Sequence, residues 1–229
     1  MLGRRIASQT MLLTKVIVAW LVACLVTAVV VFVYLMNARP DLSVWHLADL
    51  DEEFTAKSPV TNFRQYLALE DRLFKQLDEL VYSQVPVGPD NAINRYSRGS
   101  LSDPARWPVN WNRSFELGQE LPVAGVVLLH GLSDSPYSLR ALGQSMHRRG
   151  AMVLGLRISG HGTAPSSLVE TRWQDMAAAV RLAVRHVREV VGDKPVYLVG
   201  YSNGGALGVE YALAALDEAS LPRVSGVIL

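Results

Sequence analysis

The sequence predicts an α/β fold, a mostly parallel sheet with helices on both faces, preceded by one transmembrane helix. Three observations carry this. From Arg113 onward, short continuous apolar runs alternate with helix-length amphipathic runs, the pattern of strands buried on both faces and their crossover helices. Within that alternation, PVYLVGYSNGGALGVE (residues 195–210) joins an apolar run to a helix-favouring one through Gly200-Tyr201-Ser202-Asn203-Gly204, a G-x-S-x-G strand-to-helix turn. Near the start, residues 16–36 form 21 consecutive positions without a charge, about 31 Å as a helix and close to the thickness of a bilayer's hydrocarbon core.

The chain of 229 residues holds one ordinary domain plus an appendage, and half of its residues are apolar, enough for a substantial core. A net charge of +1, with no basic stripe interleaved with aromatics, argues against a nucleic-acid binder. Cys24 is the only cysteine and cannot form an intramolecular disulfide, and the Cys and His spacing offers no metal site.

Residues 1–15 read as a cytoplasmic N-terminus and residues 16–36 as the anchor. Arg4, Arg5 and Lys15 precede the apolar run, whereas Asp41, Asp49, Asp51, Glu52 and Glu53 follow Arg39. The positive-inside rule then puts the rest of the chain on the outer, periplasmic or extracellular side. A cleaved signal peptide fits less well, because its apolar stretch is usually about 7 to 15 residues and no small-x-small site stands out. Leu21-Val22-Ala23-Cys24 resembles a bacterial lipoprotein box, but the apolar run continues through Met36.

Residues 37–112 read as linker, amphipathic helix and extended segment. Residues 41–59 mix charges, prolines and a few apolar side chains and suit a juxtamembrane linker or short helix. Phe63, Tyr66, Leu67, Leu73, Phe74, Leu77, Leu80 and Val81 then recur at helical spacing. The polar residues among them are mixed in sign, so this helix is expected to pack on the domain rather than on lipid. Residues 85–111 are rich in Pro, Gly, Asn and Asp. They read as a long ordered excursion, with Tyr96, Trp107 and Trp111 as anchors, that wraps the sheet edge or covers part of a binding site. Asn112-Arg113-Ser114 fits a glycosylation sequon but carries little weight beside bacterial-looking membrane signals.

Residues 113–229 hold the alternation. The expected strands are 114–117 at an edge, 123–129, 151–158, 195–199 and 224–229. The expected helices are 137–149 with Leu139, Leu142 and Met146 inward, 171–191, and one after the elbow to about Ala219 with Leu207, Tyr211, Ala214 and Ala215 on one face. Right-handed crossovers join the parallel strands.

The elbow pattern suits a weak nucleophile that must be lifted clear of the backbone. Its glycines let a strained turn close, and Ser202 stands at a helix N-terminus whose free amides and dipole favour a developing oxyanion. A dinucleotide fingerprint fails, because Ser202 stands where a glycine is needed. Leu128-Leu129-His130-Gly131-Leu132 places His-Gly at the end of a neighbouring strand, where open α/β sheets bind ligands, so this loop and the elbow are expected to meet. The backbone amides of Leu132 and Asn203 are then natural oxyanion donors. His130 reads as a loop-bracing histidine in preference to a general base, and His161, in Gly160-His161-Gly162, as loop architecture. His46, His147 and His186 read as solvated or rim residues.

With these motifs in order, residues 113–229 resemble the α/β-hydrolase fold, within it the monoacylglycerol lipase, lysophospholipase and serine aminopeptidase-like group. LLHGLSDSPYSLRALG, LRISGHGTAPSSL and YLVGYSNGGAL carry the resemblance. It implies Ser202 as nucleophile, the Leu132 and Asn203 amides as oxyanion hole, and His130, Gly131, Gly200, Gly204 and His161 as loop support. Asn203 departs from the Met or Gln common in the group, which leaves a backbone donor intact but alters the pocket wall. No histidine follows Ser202, and Asp217 and Glu218 come too early for the family's acid. The expectation is therefore a chain whose last strands, acid and histidine lie past Leu229, with little activity in these residues alone. The expected function is a membrane-anchored serine hydrolase cleaving a carboxylic ester, lipid or lysolipid, through an acyl-enzyme, with no cofactor or metal. Its partners are the ester substrate and the membrane. The rival reading is a catalytically inactive, membrane-tethered binding module.

Overall fold

The computed structural model describes residues 2–229; the side chains of residues 2–10 lie outside that description, among them Arg4 and Arg5, on which the expected orientation partly rests. The chain divides into two units, Met1–Leu42 and Ser43–Leu229. The first is one helix, α1 (Leu2–Asn37). Its part Met11–Asn37 has a mean hydropathy of 3.0 and buries none of its apolar window. By length and composition it can cross a membrane, and a signal sequence meets the same description.

The second unit is built on a five-stranded sheet in the order β1-β3-β2-β4-β5. The strands are β1 (Phe115–Leu117), β2 (Ala124–Leu129), β3 (Ala151–Leu156), β4 (Val196–Gly200) and β5 (Gly226–Ile228). β1 runs antiparallel to β3 and the other pairs are parallel. Strands β2 and β3 are apolar on both faces because both faces are covered. Val127, Leu129, Met152, Leu154, Leu156 and Leu198 pack with helices α6 (Trp173–Val191) and α7 (Asn203–Asp217). Val126, Leu128 and Val153 face the other way, toward Leu139 and Met146 of the segment leading into and through α4 (Arg140–His147).

Helix α4 corrects one expectation in detail. Pro136 opens a short 3-10 turn over Pro136–Leu139, and the α-helix starts only at Arg140. The tighter turn shifts the helical phase, so Leu142 is exposed and Gly143 is the residue turned inward, against Leu128, Val153 and Phe115. The expected helix at 171–191 is α6, which starts at Trp173 with its first turn capped by Asp175, and a short helix not expected, α5 (Ser167–Glu170), precedes it.

Residues 43–112 form a strap over the sheet. Helix α2 (Val44–Leu47) is short, while α3 (Phe63–Leu80) is capped by the Asn62 side chain, which accepts the Gln65 amide at 3.0 Å. Its face of Phe63, Tyr66, Leu69, Leu73 and Leu77 is buried. Residues 41–59 hold the short helix, one of the two expectations for them, and in addition bury Leu50 and Phe54 in the core. The excursion at 85–111 is ordered by three 3-10 turns in and around it (Tyr82–Gln84, Pro89–Asn91 and Pro104–Arg106) and by Tyr96, whose hydroxyl donates to the Thr163 carbonyl at 2.9 Å.

Candidate active site

The parallel pairing of β2 with β4 aligns Leu129 with Gly200, so the His130 loop and the elbow leave neighbouring strands at the same level. At the elbow, Ser202 has φ 52° and ψ −115°, and it is the one non-glycine residue with positive φ among the described residues. A non-glycine residue held there stores strain, which turns Ser202 out of the sheet plane at the first turn of α7. The turn closes because its glycines are bare. A Cβ on Gly204 would lie 2.1 Å from the Leu129 oxygen, and one on Gly200 would lie 2.5 Å from the Gly204 backbone. These contacts are with backbone and cannot swing away. Gly204→Ala is therefore expected to cost about 3 kcal/mol, the upper end for overpacking, read as a lowered urea midpoint with unchanged slope.

The two loops do meet. The Tyr201 amide donates to the Leu129 carbonyl at 3.0 Å, and a Cβ on Gly131 would stand 3.8 Å from Ser202 Cβ. Among the described residues, the amides of Leu132 and Asn203 have no acceptor. Leu132 belongs to the loop that meets the elbow, and Asn203 follows Ser202 and begins α7, where the dipole adds positive potential. The Asn203 side chain turns to Met176, its Nδ2 at 3.6 Å from the sulfur.

Beneath this surface His130 is fully buried. Its Nε2 accepts the Ile158 amide at 3.1 Å, which leaves Nδ1 as the donor to the Gly131 carbonyl at 2.9 Å. Both ring nitrogens are thus used in tying the β2 and β3 loops together. Burial pulls its imidazole down to about 4, against the opposing pull of the Gly131 carbonyl, with His161 adding to the depression. His161 stands edge-on to it with centroids 5.0 Å apart. Its Nδ1 donates to the Ser159 carbonyl at 2.8 Å and its buried Nε2 has no partner. No described histidine is hydrogen bonded to Ser202. His46 caps Ser43, His147 meets Gln119, and His186 pairs with Glu116 at 2.7 Å.

The depressed His130 has a sign that can be worked out. The folded state prefers the neutral ring, so its contribution is complete above the unfolded value of 6.5 and is lost as pH falls toward 4. The full loss is about 3 kcal/mol. Denaturation midpoints of wild type and His130→Asn, compared from pH 7 to pH 4, are expected to show a steeper acid decline in wild type.

Sequence reading missed the group that fixes these loops. Arg157 is fully buried at the end of β3. Its Nη1 and Nη2 donate to Glu53 at 3.0 Å, its Nε to Glu70 at 3.1 Å, and its Nη1 also to the His161 carbonyl at 3.1 Å. Tyr66 donates to the Arg157 carbonyl, and Ser114 Oγ accepts the Arg157 amide at 2.9 Å. Burial opposes the charge, but Glu53 and Glu70 outweigh it and hold the guanidinium protonated more firmly than usual. Asp175 adds a second tie, accepting the Ala56 amide at 2.7 Å. The available signal was an arginine closing the apolar run AMVLGLR.

A cavity of about 530 Å³ lies between residues 46–55 and 166–171 and is not lined by Ser202, whose side chain is exposed. A family model described as serine aminopeptidase, S33, a hydrolase family, matches residues 120–229. Over those residues the chain is similar to a hydrolase family, and its fold is that of the α/β-hydrolases. This α/β-hydrolase-fold protein is 30% identical over 83 residues to a thermostable monoacylglycerol lipase of Bacillus sp. (strain H-257), covering 36% of this chain and 32% of that lipase. It is also 32% identical over 101 residues to the carbamoyl phosphate synthase small chain of Streptomyces coelicolor, covering 41% of this chain and 25% of that one. A solved structure from work on LipS and LipT, two metagenome-derived lipolytic enzymes, is similar at 28% identity and a TM-score of 0.44, over 52% of this chain and 45% of that chain. The match thus spans about a third or less of the length of the curated relatives.

Proposed function

We propose that this α/β-hydrolase-fold protein cleaves a carboxylic ester through an acyl-enzyme on Ser202. The observation that carries the reading is the strained Ser202, exposed at the start of a helix beside a loop that meets the elbow. In this reading Ser202 Oγ attacks the ester carbonyl carbon as a base takes its proton. The carbonyl oxygen becomes an oxyanion that accepts from the Leu132 and Asn203 amides. The C–O bond then breaks, the alcohol leaves with the proton, and water releases the acid from Ser202 by the same steps. His130 and His161 support the loops and do not act as the base, since His130 has both nitrogens engaged. Among the described residues the reading assigns neither the base nor its acid partner. An ester of lipid character is favoured by the similarity to a monoacylglycerol lipase.

The reading includes anchoring. Helix α1 spans a bilayer with Lys15 and the residues before it in the cytoplasm, and Ser43–Leu229 is on the outer side, as the charge asymmetry about the apolar run favours. The test is hydrolysis by membranes that carry the natural full-length gene product, with p-nitrophenyl butyrate and a monoacylglycerol as substrates. Release of either acid above membranes lacking the protein is expected; no release of either removes the ester-hydrolase reading.

A further inference from the structure

One cavity of the strap holds a positive charge without a counter-charge. Its volume is about 370 Å³, and Trp107, Trp111, Tyr137 and Leu101 form its apolar wall, with Arg95 and Asn112 among its polar residues. Arg95 is the one charged residue among those that line it. It is partly buried, and no carboxylate lies within ion-pair distance among the described residues. Its neighbours are neutral: Nη2 donates to the Gly162 carbonyl at 3.0 Å, Cζ lies 5.2 Å from the centre of the Tyr96 ring, and the Tyr82 hydroxyl stands beside it. These engage part of a fork of five donors. The head of Arg95, and not only its stem, reaches the cavity. A Cβ on Gly162 would lie 2.3 Å from the Asn112 carbonyl oxygen, so the residue whose carbonyl Arg95 holds is packed on the Asn112 wall. Asn112 supplies a second donor: its Oδ1 accepts the buried Ser135 hydroxyl at 2.8 Å, which turns Nδ2 away from Ser135 and leaves it without a protein acceptor among the described residues.

The other charges nearby are engaged elsewhere. Trp107 also lines a second cavity, which holds Asp71, Asp78 and Asp103. Asp71 pairs with Arg113 and Asp78 with Arg98, while Asp103 is buried and accepts the Gly99 and Ala105 amides at 2.7 and 2.9 Å. Arg140 lies 3.7 Å over the Tyr137 ring but does not line the cavity of Arg95. A partly buried charge that the chain leaves uncompensated favours an anion. A planar fork of single charge suits a planar carboxylate, whereas a dianionic phosphate would bring a charge that no second cation of this cavity meets. The remaining wall is aromatic or aliphatic, and the volume is that of a pocket for a small organic molecule.

We infer that this cavity binds a small organic carboxylate, with the carboxylate on Arg95 and Asn112 and the apolar body against Trp107, Trp111 and Tyr137. The inference is independent of ester hydrolysis and of anchoring. It is tested by calorimetric titration of the natural full-length protein, held in phosphatidylcholine nanodiscs, with phenylacetate and with its neutral isostere phenylacetamide. Phenylacetate is expected to bind roughly tenfold or more tightly than the amide. Arg95→Met is expected to weaken phenylacetate roughly 10- to 100-fold, the range for losing hydrogen bonds to a charged group. Trp107→Ala removes a ring that is 60% exposed and so spares the fold. It is expected to weaken phenylacetate several-fold with Arg95 in place, so the site is read even if Arg95→Met fails to fold. Equal affinity for the amide, an affinity unchanged in either folded variant, or no binding at millimolar phenylacetate overturns the site. Acetate or inorganic phosphate binding as tightly as phenylacetate means a bare anion contact, and also overturns it.

Discussion

Ser202→Ala in the natural full-length protein is expected to lower kcat for ester hydrolysis by about 10,000-fold or more, with KM changed little. The reasoning is local. The substitution removes one oxygen and keeps the elbow, both oxyanion amides and the cleft, so binding survives while the covalent step does not. It leaves stability nearly untouched, because Ala bears the same backbone strain at φ 52° as Ser, and no described hydrogen bond of the Ser202 side chain is lost. A pre-steady-state assay on a chromogenic ester checks the point: wild type is expected to show a burst of alcohol release and the variant none. A variant that kept wild-type kcat would exclude Ser202 as nucleophile.

Arg157→Met is expected to cost 3 to 5 kcal/mol, about what is lost when one partner of a buried ion pair is removed. The substitution strands Glu53 and Glu70, whose side chains are 10% and 2% exposed, and it cuts the tie to the His161 carbonyl. Arg113, 3.6 Å from Glu70, compensates one carboxylate only in part. With a whole-domain stability of roughly 5 to 15 kcal/mol, such a loss empties much of the folded population. Chemical denaturation of purified protein, with soluble yield as a second reading, measures it. The triple variant Arg157→Met, Glu53→Gln, Glu70→Gln is expected to recover more than half of the loss, since neutral amides bury far more cheaply than stranded charges. If Arg157→Met alone were neutral, the strap would not be held by this network.

The contrast between these two sites explains what a single sequence made visible. The elbow was legible because its constraint leaves glycines at fixed positions either side of Ser202: Gly200 faces the Gly204 backbone and Gly204 faces the backbone of the adjoining Leu129. The sheet was legible from the unbroken apolar runs of β2 and β3, which only doubly covered strands tolerate. The Arg157 network was not, because it joins Arg157 to Glu53 and Glu70 across separations of 104 and 87 residues, and nothing in spacing pairs them. One position on the inward face around α4, Leu142, was missed for another reason, while Leu139 and Met146 do face the core. Periodicity carried backward through Pro136–Leu139 assumes 3.6 residues per turn, and the 3-10 turn there uses fewer, so Leu142 rotated outward. Residues 41–59 read as linker or short helix because their charges dominate the pattern; the short helix is α2, and two apolar side chains, Leu50 and Phe54, are what the core takes.

The central claim is that the elbow serine is the nucleophile, and one measurement meets it directly. Membranes carrying the natural full-length protein are treated with a fluorophosphonate, digested, and searched by mass spectrometry for the modified residue. The account predicts a single phosphonyl adduct on Ser202, absent from Ser202→Ala and absent after heat denaturation. An adduct on another residue, or none on correctly folded protein, would contradict it.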